Sequence, residues 1–228
     1  MRGLSLVQQG GVRSSPYRRR HVLRRWLALA VLALALVPFA WASSFPERGG
    51  APTRVVTPCG SERWDVKTLT DPGRKSVLIG NARAATVTGL AKMQSLTAIA
   101  ARRSQERQVY RLKVTFDSLP GKKLGFKLES NDSDIHLAVR DSRGATMIAE
   151  FPDSACTVGA RYRTRMRQAR ADLVAACGRP PSGSFRELHG KATITGVLFF
   201  DFFHGQRGVS PNVAELHPVL GFTNATCR

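Results

Sequence analysis

The feature that most constrains the fold is a two-residue alternation. Tyr110, Leu112, Val114 and Phe116 are apolar, and Arg111, Lys113 and Thr115 stand between them. Successive side chains of a strand point to opposite faces, so this segment has one buried face and one wet face. The same period returns in Leu124, Phe126 and Leu128 after Pro120-Gly121, and in Ile135, Leu137 and Val139 after Asn131-Asp132-Ser133. Asp141-Ser142-Arg143-Gly144 turns the chain into a further strand at 145–151. Residues 192–203 read as a long buried strand and 215–222 as the last, with Pro218 near its edge. Upstream, 62–69 and 85–90 are expected as short extra strands, and the polar stretch 102–108 as a loop.

One helix interrupts this pattern. Val158, Tyr162, Met166, Ala169, Leu173 and Ala176 are spaced by three or four and share a face, while Arg161, Arg163, Arg165, Arg167 and Arg170 occupy much of the remainder. The prolines within 178–183 end it. The order from Tyr110 onward predicts a mainly β protein, an OB-fold-like five-stranded Greek-key barrel. Its helix lies between the third and fourth principal strands, and extra N-terminal strands precede it.

Seven arginines and no acid precede Trp26, and residues 26–39 are almost unbroken Leu, Ala and Val, followed by Ala40-Trp41-Ala42. This is the pattern of a secretory signal. An apolar run of about 14 residues falls short of the roughly 20 that span a bilayer as a helix. Residues 1–42 are therefore expected to be a signal peptide, 43–58 a flexible lead-in, and 59–228 a single OB-like domain. The protein is expected to be exported, periplasmic or secreted, with an uncleaved membrane anchor as the alternative. Cys59, Cys156, Cys177 and Cys227 all lie beyond residue 42 and read as two disulfides with three possible pairings. A continuous helix over 158–176 would span about 27 Å, whereas bridged Cα atoms lie within about 7 Å, which would exclude Cys156–Cys177.

The chain carries 35 Lys+Arg against 16 Asp+Glu, a charge of +19. Without residues 1–42 the charge is still +12, from 28 against 16. Such a field attracts polyanions over roughly 8–10 Å. Arg161, Arg163, Arg165 and Arg167 are the candidate polyanion-binding residues. The proportions of hydrophobic residues, 43%, and charged residues, 22%, exclude a wholly disordered chain and a polytopic membrane protein. Serine hydrolase, P-loop, zincin and dinucleotide-binding motifs are absent from the sequence.

Two polar clusters could carry chemistry. Asp132, Asp134 and His136 fall at alternate positions, so a strand would aim all three away from the Ile135, Leu137 and Val139 face. Asp201, His204, Gly205, Gln206 and Gly208, followed by Asn212, Glu215 and His217, form the second. If the two adjoin, Asp132, Asp134 and Glu215 are candidate metal ligands, and His136, His204 and His217 candidate acid–base groups. The cation would be Ca²⁺ or Mg²⁺ if carboxylates dominate, and Zn²⁺ or Mn²⁺ if His ligates.

The runs Asn131-Asp132-Ser133-Asp134-Ile135-His136-Leu137, Met147-Ile148-Ala149-Glu150-Phe151-Pro152, Thr195-Gly196-Val197-Leu198-Phe199-Phe200-Asp201, His204-Gly205-Gln206, and Pro211-Asn212 through Glu215-Leu216-His217-Pro218 resemble a family of small exported bacterial proteins. Cys59-Gly60, Glu62-Arg63-Trp64 and Val66-Lys67-Thr68 fit it as well, so the likeness spans about 160 residues. It implies export and the domain's extent, and no activity. A looser resemblance is to staphylococcal-type nucleases, which are OB-folds with an Asp-x-Asp strand beside a calcium site. Asp132-Ser133-Asp134 matches that pattern, but no arginine stands within 145–151 to hold phosphate. Two functions follow as expectations: a noncatalytic binding module for an anionic partner, an envelope polyanion or nucleic acid, and alternatively a metal-assisted phosphodiester hydrolase.

Overall fold

The structure is a computed structural model that describes residues 58–95 and 101–228. The expected signal peptide and all of the lead-in except Pro58 lie outside the described residues. In chain order the elements are α1 (Trp64–Lys67), β1 (Arg83–Ala85), α2 (Val87–Leu90), β2 (Val109–Thr115), β3 (Gly125–Leu128), β4 (Ile135–Arg140), β5 (Thr146–Phe151), α3 (Arg163–Cys177), β6 (Gly190–Phe200) and β7 (Ala214–Cys227).

β2 buries Leu112 and Val114 and exposes Arg111 and Lys113, as its alternation predicts. It pairs antiparallel with β6, β6 pairs antiparallel with β7, and β7 runs parallel to β5. β5 pairs antiparallel with β4, and Arg140 of β4 returns to Thr115 of β2, closing a five-stranded barrel. The helix α3 follows the third barrel strand and precedes the fourth, the connectivity of an OB-fold. β3 is an additional strand on the edge of β4. Leu112, Val114, Ile135, Leu137, Val139, Met147, Phe151, Ile194, Leu198, Phe200, Leu216 and Phe222 belong to the barrel core, and Ala169 and Leu173 of α3 pack into it. Met166 joins a second apolar cluster with Leu69, Val77, Val109, Val197 and Leu220, so α3 bridges both.

Several expectations are corrected. The extra N-terminal strands reduce to the three-residue β1, which lies parallel to β2. Within 62–69 the helical turn α1 (Trp64–Lys67) replaces the strand: Val66 and, just past the turn, Leu69 are buried at a spacing of three, and Thr68 Oγ1 donates back to Trp64 O at 2.7 Å. Residues 87–90 are likewise helical: Thr86 Oγ1 accepts from Gly89 N, and Val87 and Leu90 are buried three apart. The main helix starts at Arg163 and not at Val158. Gly159 and Tyr162 have positive φ and break the path, leaving Val158 70% exposed. Tyr162 turns inward instead and donates its hydroxyl to Val77 O. β6 ends at Phe200, so Phe202 and Phe203 are exposed in a loop, while β7 continues five residues past Phe222.

The disulfides are Cys59–Cys156 and Cys177–Cys227. The first ties the start of the described chain to the turn before α3, and the second ties the end of α3 to the end of β7. Two bridges are compatible with an oxidising compartment.

Residues 102–108, expected as a polar loop, include the turn Gln105–Arg107 and bury three charges. Glu106 is fully buried and accepts from Arg63, from the backbone and guanidinium of Arg103, and from Phe200 N. Arg102 is paired with Asp71 at 2.7 Å. Buried charge is tolerated only when matched in this way. The Glu106 network fixes α1 against the end of β6, where the 201–213 loop begins.

Candidate functional site

The outer faces of barrel strands ordinarily meet water, yet His136 and Glu150 are buried there. The cause is a roof. The 201–213 loop folds back over β4 and β5, bringing Gly208 so close to Ala138 that a Cβ on this glycine would sit 2.6 Å from the alanine's Cβ. Gly208 also has φ +84°, which favours glycine. Gln206 holds the loop by accepting from His204 N and donating to Phe202 O. Asn212 pins its far end by donating to Leu90 O and Met93 O.

Beneath and beside this roof is a cleft of about 780 Å³. Its floor follows from strand register: Lys127 lies opposite His136, and His136 opposite Glu150. β5 and β7 are matched at Ile148 with Glu215, so Glu150 comes level with His217. α1 walls one side with Trp64 and Lys67, and Phe185 walls the other. The turn 129–132 and the loop 201–207 close the ends.

His217 Nδ1 is 3.1 Å from Glu215 Oε1, and its Nε2 is 3.1 Å from Asp134 Oδ2. Burial pushes this imidazolium's pKa down, but the two carboxylates push it up further, to about 10. His217 is therefore a fixed cation at neutral pH. Its contact with Asp134 is an ion pair without hydrogen-bond alignment, and both Asp134 carboxylate oxygens are buried without a hydrogen-bond partner.

His136 Nε2 is 2.8 Å from Arg207 O, which can only accept, so Nε2 carries a hydrogen. Its Nδ1 lies 2.9 Å from Glu150 Oε1. Burial pushes the Glu150 carboxyl up, the His136 charge pulls it back, and the balance lies at about 7. Burial lowers the His136 pKa, and the Glu150 charge more than offsets it, leaving it raised. Above about pH 7 the pair thus holds one proton between Nδ1 and Oε1, and below it Glu150 takes up a second. The second oxygen of Glu150, Oε2, is buried with no hydrogen-bond partner.

The structure brings the two predicted clusters to one cleft. Asp132, His136, His204, Glu215 and His217 line it, and Asp134 reaches it through His217. Asp132 and Asp134 do not share a strand face, because β4 begins at Ile135. Ser133 has φ +63°, and Asp132 Oδ1 accepts from Asp134 N, so these residues form a turn. Asp132 remains at the rim, where burial and then the Asp134 charge raise its pKa. His204 is half exposed and 3.8 Å from Asp201. Of the four arginines, Arg163, Arg165 and Arg167 are exposed on α3. Arg161 precedes the helix, with Nε donating to Val77 O and its guanidinium stacked on Tyr162.

Among the described residues, no group of three or more His, Cys, Asp and Glu side chains is disposed to hold a metal ion. Both nitrogens of His136 and of His217 are already engaged. Sequence reasoning missed Glu150, Lys67, Trp64, Phe185 and Arg207. Glu150 was legible only with the turn taken as 141–145: counting equally outward from Arg140 and Thr146 places it opposite His136. Lys67 and Phe185 carry no such signal, because they reach the cleft from elements remote in sequence.

The chain matches no protein-family model, no curated protein and no solved structure.

Proposed function

We propose that this protein is an exported binding module that captures its ligand in the cleft on the outer face of its OB barrel. The observation that carries the reading is a cleft-lining carboxylate with a buried oxygen, Glu150 Oε2, that has no hydrogen-bond partner. Leaving a buried acceptor unmade costs about 1–3 kcal/mol, a cost that a ligand donor would offset. Its position supports the same reading. OB-folds take oligomeric ligands on the face of the second and third strands and on the first–second and fourth–fifth connections. Here those are β4, β5, the turn 129–132 and the loop 201–207, which bound the cleft. Its volume lies within the roughly 300–1,000 Å³ of small-molecule sites. Export is supported by the two disulfides and by the character of residues 1–42 in the sequence.

The test is ¹⁵N-edited NMR titration of the protein with chitotetraose, spermidine and a single-stranded DNA dodecamer. The expected result is that at least one compound shifts the amides of Lys67, Glu150 and His217. The reading fails if every compound that binds shifts only residues outside the cleft.

A second reading concerns the exterior. Arg163, Arg165 and Arg167 stand exposed on one helix of a chain of charge +19, and they support docking on an anionic polymer, envelope polyanion or nucleic acid. Binding of the DNA dodecamer there should weaken steeply between about 50 and 200 mM salt. Replacing the three arginines with Gln should lower affinity and flatten the slope. An unchanged slope would remove the helix from the interface.

A further inference from the structure

We infer that the cleft recognises a primary ammonium group, with Glu150, Glu215 and Asp132 as the carboxylates that receive it. This inference rests on the cleft being the binding site and names the chemistry of what it takes.

The protein already holds one ammonium there. Lys67 Nζ lies on the cleft wall, on a side chain only 13% exposed, 3.4 Å from Asp201 and 5.2 Å from the centre of the Phe199 ring. Burial lowers its pKa, but the charges of Glu215, Asp201 and Glu150 more than offset this and leave it raised. The local field is thus negative enough to keep a desolvated ammonium charged, although the chain as a whole is strongly positive.

Pairing the charges shows that acid remains. Lys67 matches Asp201, and Lys127 matches Glu129 at 2.9 Å. His136 and Glu150 share one proton and are neutral together. His217 offsets only one of Asp134 and Glu215, and Asp132 has no cation within ion-pair distance among the described residues. Arg207, stacked on Phe185 at 4.3 Å, and Glu62 also line the cleft and offset each other in charge, so about two negative charges are left over. The acceptor with no donor, Glu150 Oε2, is a buried atom of a cleft-lining side chain. An ammonium has three donors and no acceptor, so it suits carboxylates and aromatic faces together. Trp64 lines the cleft as such an aromatic, while Phe185 already carries Arg207 at 4.3 Å and Lys127 at 5.0 Å.

The same chemistry could arrive on a lysine side chain or on a free polyamine. Isothermal titration with Nα-acetyl-lysinamide and with spermidine, each beside its fully acetylated counterpart, separates these sources. The expected result is that one or both amines bind at least tenfold more tightly than their acetylated forms, with NMR shifts at Lys67, Glu150 and His217. Glu150→Gln, and independently the rim variant Asp132→Asn, should each weaken the amine at least fivefold while circular dichroism stays unchanged. Affinity should rise with pH between 5.5 and 8, because the amine stays charged while Glu150 ionises. The charged and titratable groups around Glu150 are His136 with Glu129 beside it, Glu215 and His217, Lys67, and Arg170 of α3. With Glu150 titrating at about 7, the change would reach roughly thirtyfold.

Equal binding of acetylated and free amines would overturn the ammonium assignment and leave the cleft as a site for neutral ligands. Amine binding that maps outside the cleft, or that both variants leave intact, would overturn the assignment and count against the cleft reading as well. Absence of amine binding overturns the assignment, and the cleft then stands or falls on chitotetraose. Displacement of the amine by millimolar Ca²⁺ but not by Na⁺ at equal ionic strength would reassign the carboxylates to a hard cation.

Discussion

Replacing His217 with Gln removes the one charge that compensates two buried carboxylates. The pKa of this imidazole is raised from 6.5 to about 10 in the fold, which corresponds to about 5 kcal/mol at most. Because the folded value lies above the unfolded one, the stabilisation is full below about pH 6.5 and is lost as pH rises towards 10. Between pH 6 and pH 9 the wild-type protein should lose about 3 kcal/mol from this group alone. Glu150, raised to about 7, contributes a further loss of the same sign in wild type, about 1 kcal/mol over that range. The His217 charge holds the Glu150 pKa down, so the difference between the two proteins reports His217 together with its effect on Glu150. Urea denaturation followed by far-ultraviolet circular dichroism at pH 6, 7.5 and 9 measures it, with disulfides intact so that two-state analysis applies. His217→Gln should be about 3–5 kcal/mol less stable than wild type at pH 6, approach it at pH 9, and show a flatter profile. Parallel profiles, with the same loss at every pH, would refute the assignment of His217 as the buried cation.

Glu106→Ala should destabilise the fold by about 3–5 kcal/mol, seen as a lower urea midpoint, because it strands Arg63 and Arg103 and leaves Phe200 N without its acceptor. Gly208→Val should cost about 1–3 kcal/mol and lift the loop off Ala138, lowering affinity for any cleft ligand in the same titration. Alkylation before reduction should label no cysteine in mass spectrometry of the native protein. Opening Cys59–Cys156, which closes 97 residues, should cost about 5 kcal/mol in the chain-entropy model, slightly more than Cys177–Cys227, which closes 50.

The barrel was legible because its information is local. Alternation in 110–116 and 135–139 states which face is buried, the turn at 141–144 states which strands pair, and one three-to-four periodicity states where the helix lies. Local pattern failed where a short apolar spacing suits both a strand and a helical turn. Val66 with Leu69, and Val87 with Leu90, became helical because buried partners and a capping hydroxyl decided it. The polar residues of the site were visible, but what they do was not. His136 reads as solvated until the 201–213 loop is laid over it, and Arg102, Arg103 and Glu106 read as loop until their partners arrive from residues 63, 71 and 200. Desolvation and charge pairing depend on distances across the barrel, and these set the His217 cation, the proton shared by His136 and Glu150, and the buried, unsatisfied oxygen of the cleft-lining Glu150. The sequence determined which residues alternate; only the tertiary structure decided which of them lose water, and that loss is what makes a carboxylate a binding group.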